Sequence, residues 1–223
     1  MNEPNAGTTR RPRSTSRDRG LLFIISGPSG AGKGTALSAI LERFPSIRKV
    51  PTYTTRPPRP NEVPGYDYAF LDTATFLAKV RAGEVFEYTR TYGDSYYGSP
   101  QVLVDDDGSH LAVELDYKGM FQVRHATARR CTTIFVMPPD LAEAERRIRS
   151  RYQETNVEAR LANFREQLQF AWAYDYVLSN HTEPAFREEV QTVIRAELLR
   201  HHGGGFLLNN AAAFDWSNEG GTA

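Results

Sequence analysis

Residues Gly27-Pro28-Ser29-Gly30-Ala31-Gly32-Lys33 match the opening of the pattern G-x-x-x-x-G-K-[ST]. They follow the apolar run Leu21–Ser26 and precede Leu37, Ile40, Leu41 and Phe44, which recur at helical spacing. A short apolar run ending in a glycine-rich turn and then a helix reads as the central strand of a parallel sheet feeding a phosphate-binding loop. The glycines let successive backbone N–H groups turn inward around a phosphate. The helix N-terminus adds partial positive charge there, and Lys33 adds a full one. Gly27, Ser29, Gly30, Ala31, Gly32, Lys33, Gly34 and Thr35 are therefore the candidate nucleotide-binding residues, with Lys33 also catalytic. The last position of the pattern is Gly34 rather than Ser or Thr, and the hydroxyl comes one residue later at Thr35. Gly34 offers Mg²⁺ no side chain, so no direct protein metal ligand is assigned.

The rest of the 223 residues alternates in the same way. His110–Leu115 and Thr132–Met137 read as further buried strands, and Tyr176–Leu178 as a short one. Helices are expected from Asp140 to Arg151, from Val157 to Tyr174 on the Leu161, Phe164, Leu168, Trp172 spacing, and from Pro184 to Arg200. Strands alternating with helices make this an α/β chain, a parallel sheet flanked by helices. Residues 52–100 differ: rich in Tyr, Thr, Pro and Gly with short alternating runs, they read as a small, mostly β insertion suited to binding. Residues 1–19 carry five Arg and almost no apolar side chain, which predicts a disordered basic tail. Gly203-Gly204-Gly205 is expected to break the last helix, leaving 203–223 as a loose tail and 20–202 as the folded body.

Charge and composition exclude several classes. Lys+Arg and Asp+Glu are both 27, so the formal net charge is zero and nucleic acid is not an expected partner. No apolar run approaches the roughly 20 residues that span a bilayer, and no secretory signal precedes the body. The single cysteine, Cys131, excludes an internal disulfide and a multi-cysteine zinc site, which fits a cytoplasmic protein. Of the basic residues, 23 are Arg and four are Lys, so the placing of Arg is informative.

Arg56 and Arg59 stand three residues apart in Thr52-Tyr53-Thr54-Thr55-Arg56-Pro57-Pro58-Arg59-Pro60, a proline-stiffened loop. Two guanidinium forks at that spacing can converge on one phosphate at little entropic cost. Further on come Gly65-Tyr66-Asp67-Tyr68-Ala69-Phe70, Glu87-Tyr88, Tyr96-Tyr97-Gly98-Ser99 and Glu114-Leu115-Asp116-Tyr117-Lys118-Gly119. With the Gly-Pro-Ser-Gly loop, this ordered set over roughly residues 21–200 resembles the guanylate kinases. The ending Gly32-Lys33-Gly34-Thr35 is itself similar to that of adenylate kinases, which transfer phosphate.

The resemblance implies ATP-dependent phosphorylation of GMP, and of dGMP, with ATP and Mg²⁺ as the nucleotide and its metal. It implies a core of residues 20–51, 101–145 and 163–202, a GMP-binding insertion of 52–100 and a short helical lid of 146–162. By position, Arg56, Arg59, Tyr68 and Tyr97 would hold the acceptor phosphate. Thr52, Glu87, Ser99 and Asp116 would face the guanine, whose adjacent N1–H and N2–H₂ donors suit a carboxylate. Arg147, Arg151 and Arg160 match arginines that close over the transferring group, and Asn180 a position near the ATP base. Arg56, Arg147, Arg151 and Arg160 thus join Lys33 as catalytic candidates. Where the family usually carries Arg-Gly between the lid helices, this chain carries Arg151-Tyr152. The alternative is a catalytically weak guanylate-kinase-like module that binds proteins. A monomer or homodimer is expected.

Overall fold

A computed structural model describes residues 19–60, 62–90, 94–152 and 157–209, the side chains of 151–152 and 202–209 excepted. In chain order its elements are β1 (Leu21–Ser26), α1 (Lys33–Arg43), β2 (Ile47–Lys49), β3 (Thr52–Thr54) and β4 (Tyr68–Phe70). There follow α2 (Thr73–Arg81), β5 (Val85–Arg90), β6 (Tyr96–Pro100), β7 (His110–Glu114) and α3 (Tyr117–Ala126). The chain closes with β8 (Arg130–Met137), α4 (Leu141–Tyr152), α5 (Val157–Leu168), β9 (Tyr176–Ser179) and α6 (Glu183–Asn209).

Among the described residues two sheets form. The larger has the order β2-β7-β1-β8-β9 with every pairing parallel. β1 lies in its middle and is fully buried along its length, which is why it reads as an unbroken apolar run rather than an alternating one. Leu21, Phe23 and Ile25 face one side, packing with Ala36, Leu37 and Ile40 of α1 and Phe186, Val190 and Ile194 of α6. Leu22 and Ile24 face the other side with Met120 and Val123 of α3, Leu103 and Tyr174. Fully burying each such side chain contributes about 1.5–3 kcal/mol, so this three-layer stack is the rigid frame.

The smaller sheet, β4-β3-β6-β5, lies within residues 52–100. β3 pairs with β4 in parallel and with β6 antiparallel, and β5 pairs antiparallel with β6. The stretch is not all strand: α2 starts at Asp72, whose carboxylate accepts from the backbone N–H of Thr75, and it buries Phe76. Phe76 stacks on Tyr96, with ring centroids 5.3 Å apart. β2, too short and too charged to signal itself, adds to the larger sheet just before this segment.

Two sequence expectations need correction. The helix expected to reach Tyr174 ends at Leu168, and Trp172 is 81% exposed instead of lying on a buried face. Asp175 must return to accept from the backbone N–H and hydroxyl of Thr133 on β8, both at 2.8 Å, so the chain turns through Phe170–Tyr174 before β9. The last helix is not broken at Gly203–Gly205 but continues to Asn209. Its earlier turns are docked by Phe186, Val190 and Ile194, and by Glu197, which accepts from the Tyr176 hydroxyl at 2.9 Å. Extending an established helix through glycine costs about 1 kcal/mol per residue and is not forbidden. The expected tail of residues 1–19 lies outside the described residues except Arg19, as does the other beyond Asn209.

Arg129 at the foot of the sheet has a fully buried side chain. It pairs with Asp107 at 2.7 Å and Asp106 at 3.4 Å and donates to the Ser109 carbonyl, fixing the loop that leads into β7. Arg129→Leu should therefore lower stability by about 3 kcal/mol, because Asp106 is left buried without its cation. In a domain of this size that is on the order of 10 °C in Tm, measurable by thermal unfolding. An unchanged Tm would show that the loop is held by its own turns.

Candidate active site

β1 delivers the glycine-rich loop to the carboxyl edge of the larger sheet, where Gly32 caps α1 with φ of 108°. A side chain at Gly27, φ 140°, would run into the Val136 carbonyl of β8, and one at Gly32 into the Asn180 amide. The loop is thus pressed against β8 and against the β9–α6 connection, and only glycine fits both contacts. Lys33 arches back, its Nζ donating to the carbonyls of Gly27 (2.9 Å) and Pro28 (3.1 Å). Ala31 is buried, Ser29 and Gly30 are half-buried, Thr35 is half-buried and Gly34 is exposed. The space over Gly34 is open, with nothing within 4 Å of where a side chain would begin.

Two further expected residues meet this loop. Asn180, buried just after β9, donates from Nδ2 to the Ala31 carbonyl at 3.0 Å. The amide that the resemblance aligned with the ATP base is therefore engaged on the loop backbone. Arg147 of α4 packs its Cβ opposite Gly30 and donates from Nη2 to the Asn180 carbonyl at 3.0 Å. Its Nε bonds Glu143 at 2.6 Å, one helical turn back, which aims the guanidinium along the loop. Arg146 and Arg149 instead pair with Glu143 and Glu145 on the exposed face of α4. Arg160 sits half-buried on α5. The Arg151 side chain lies outside the described residues.

The smaller sheet gathers a second cluster. Arg56 follows β3, and its Nε donates to the Tyr97 hydroxyl of β6 at 3.1 Å. Its guanidinium lies 5.0 Å over the Tyr68 ring and 5.5 Å over Phe70, both on β4. Glu62 grips it bidentately at 2.6 and 2.7 Å and also accepts from the Arg59 backbone N–H at 2.8 Å. Burial works against the Arg56 charge, but Glu62 and Tyr97 outweigh it and hold its pKa above the usual range. Burial likewise opposes the Glu62 charge, and its bonds to Arg56 and Arg59 overcome that and keep its pKa low. Desolvation pushes the Tyr68 phenol up to about 12, so it remains a hydrogen-bond donor at neutral pH. Sequence reasoning gave Glu62 no role; the signal that could have found it is an acid three residues after the second of two closely spaced arginines.

A third cluster lies where the smaller sheet meets α3. Glu87 and Ser99 face each other across β5 and β6, and the Ser99 hydroxyl donates to Glu87 Oε1 at 2.5 Å. That carboxylate lies over Gly119 in the first turn of α3, beside Asp116, which caps the helix by accepting from the Gly119 N–H at 2.8 Å. Desolvation raises the Glu87 pKa; Ser99 opposes the shift and the Asp116 charge adds to it. Thr52 is half-buried on β3, paired with Tyr68 of β4. Carboxylates so placed suit a ligand edge carrying adjacent N–H donors.

A phosphate loop, an arginine–tyrosine cluster and a paired-carboxylate pocket on one chain describe a site for two phosphorylated molecules, one chosen by its base. Comparison with known proteins agrees with that description. The chain is 39% identical over 188 residues to the guanylate kinase of Cereibacter sphaeroides, covering 82% of this chain and 89% of that one. It is 35% identical over 187 residues to that of Bradyrhizobium diazoefficiens, covering 82% and 85%. The crystal structure of guanylate kinase from Anaplasma phagocytophilum superposes with a TM-score of 0.65 at 28% identity, covering 81% of this chain and 87% of that one. The family model described as guanylate kinase matches residues 19–197, nearly the whole described body, and the chain belongs to that family.

Proposed function

We propose that this chain transfers the γ-phosphoryl group of ATP to GMP, and to dGMP, giving ADP and the diphosphate. The observation that carries the reading is the desolvated Glu87 carboxylate, backed by Ser99 and Asp116, on the same small sheet as the Arg56–Tyr68–Tyr97 cluster. Guanine offers two neighbouring donors to such a carboxylate. Adenine presents an acceptor there and would leave buried polar groups unpaired, the strongest form of discrimination open to a binding site.

Both substrates are polyanions, so the task is to neutralise charge and align donor and acceptor in line. The loop N–H groups, Lys33 and Arg147 act on the ATP phosphates, with Arg151 and Arg160 assigned to the lid over the transferring group. Arg59, Tyr68, Tyr97 and Arg56 hold the acceptor phosphate, itself a competent nucleophile, so no covalent intermediate is required. Asn180 keeps the loop in shape from beneath. Mg²⁺ bound with ATP would supply further neutralisation of the phosphate charge. The open space at Gly34 and the Thr35 hydroxyl suit an ion held mainly by phosphate oxygens and water. A protein-binding module would have no need of Lys33, Arg56, Arg59 and Glu87 together. No helix among the described residues is long and apolar enough to cross a membrane. Measuring ADP release with GMP, AMP, UMP and CMP as acceptors tests the reading. Activity confined to GMP supports it, and ADP release with none of the four defeats it.

Replacing Glu87 by Gln should lower kcat/KM for GMP by about 2–3 kcal/mol, roughly 30- to 150-fold, while the KM for ATP stays nearly constant. The wild-type pH profile carries the same signature. Only ionised Glu87 accepts both donors, and its pKa is raised, so the KM for GMP should climb on acidification at a higher pH than an ordinary glutamate would give. That limb should be missing in Glu87→Gln. A near wild-type variant would remove Glu87 from the base pocket.

The loop residues are expected to separate cleanly. Lys33→Met should reduce kcat by about 100-fold or more, whereas Thr35→Val should cost less than about tenfold. Gly34→Ser should be tolerated, because its side chain meets open space, and should lower the Mg²⁺ concentration at half-maximal rate. Rates against Mg²⁺ for the three variants check this. Thr35→Val as inactive as Lys33→Met would make Thr35 a principal metal ligand.

A further inference from the structure

The hydrogen bonds of Arg56 can be counted against what a guanidinium has to give. It carries five N–H groups in a fixed fork and accepts none. Among the described residues, Nε–H goes to the Tyr97 hydroxyl at 3.1 Å, and Nη1 gives one N–H to the Pro57 carbonyl at 2.9 Å and one to Glu62 at 2.6 Å. Nη2 gives one to the other Glu62 oxygen at 2.7 Å, which leaves a single N–H uncommitted. The Arg56 and Glu62 side chains are each only 12% exposed, against 39% for Arg59.

Glu62 is as fully engaged as its partner. Oε2 accepts from Arg56 Nη1 and from the Arg59 backbone N–H at 2.8 Å, while Oε1 accepts from Arg56 Nη2 and faces Arg59 Nη1 at 3.6 Å. One carboxylate therefore holds both arginines, through side chain and backbone, across the proline-rich loop that separates them. The Tyr97 oxygen accepts from Arg56 Nε, so its own O–H points elsewhere and can donate to a ligand.

We propose that Glu62 is the positioning residue of the acceptor-phosphate site: it fixes Arg56 and Arg59 before substrate arrives and leaves Arg56 to meet the phosphate through one N–H and the oriented Tyr97 hydroxyl. This rests on the GMP kinase reading above and refines its acceptor half. The carboxylate also reduces the local charge from two cations to one. The attacking phosphate oxygen is then held mainly by Arg59 and neutral hydroxyls, and it keeps more of its basicity than it would between two bare guanidinium groups.

Glu62→Gln tests this in the full chain, because an amide cannot accept from both arms of the Arg56 fork. GMP should bind about tenfold or more weakly by titration calorimetry, with guanosine, which lacks the phosphate, bound within about twofold of wild type. In steady state the KM for GMP should rise and the KM for ATP should hold. Combining Glu62→Gln with Arg56→Lys should cost GMP binding less than the sum of the two single changes, since Glu62 acts in part through the fork that lysine lacks and in part through Arg59. Tighter GMP binding in Glu62→Gln would identify the carboxylate as a competitor of the phosphate and overturn the proposal. So would equal weakening of GMP and guanosine, which marks a merely structural role, or no change in either. Should Glu62→Gln not fold, Glu62→Asp carries the same comparison: a shortened carboxylate should weaken GMP and spare guanosine. A wild-type protein that does not phosphorylate GMP refutes the functional reading itself, whatever the variants do.

Discussion

Everything in this molecule is arranged around the backbone N–H groups at the start of α1, the positive end of that helix. A helix leaves its first N–H groups without internal partners, and β1 brings those of α1 to the carboxyl edge of the sheet. β1 is hydrogen-bonded on both edges, to β7 and β8, and buried on both faces, so its end cannot shift without cost to the whole core. The loop that follows is equally constrained, between Val136 on one side and Asn180 on the other. A soft anion-binding turn would have to be organised each time a phosphate bound. Here that ordering is part of folding.

The second organising constraint is how an arginine-rich chain keeps its cations in place. Arg129 is buried and pinned by Asp106 and Asp107, and its charge serves the scaffold alone. Arg146 and Arg149 pair with glutamates on an exposed helix face, where such pairs are worth little. Arg56 and Arg147 are intermediate: each is held by a carboxylate, Glu62 or Glu143, yet each stands at the edge of the candidate site. A carboxylate at that distance costs some positive potential and restrains a long, mobile side chain. For phosphoryl transfer, where geometry and charge carry almost all the catalysis, restraint is worth more than unmodified charge.

The three clusters also divide the labour of recognition. On the proposed reading, the loop on the large sheet would hold phosphate through its backbone, whatever nucleotide carries it. The small sheet would supply the side chains that distinguish one acceptor from another, and Glu87 meets Gly119 and Asp116 of α3 there. Asp116 has a double part there, capping α3 while its charge reinforces the raised pKa of Glu87.

Much of this was legible in the sequence, for a physical reason in each case. The apolar run Leu21–Ile25 could only be a strand buried on both faces, and the glycines at 27 and 32 mark backbone that no side chain fits. The Arg56–Arg59 spacing and the ordered motifs to Gly119 picked out residues that the small sheet does gather, because local stereochemistry and hydrogen-bonding capacity belong to residues themselves. What the tertiary structure alone decided depends on partners far away in the chain. The spacing of Trp172 looked helical, but Asp175 had to reach Thr133 and the helix stopped. Gly203–Gly205 looked like a break, but a helix already docked through Phe186, Val190 and Ile194 ran on through them. Asn180 gave no sign in the sequence that its amide would bond the loop backbone at Ala31, 149 positions away. Glu62 carried no visible role until the fold closed its carboxylate onto Arg56, because a side chain's hydrogen bonds are set by what the fold brings to it and not by its neighbours in sequence.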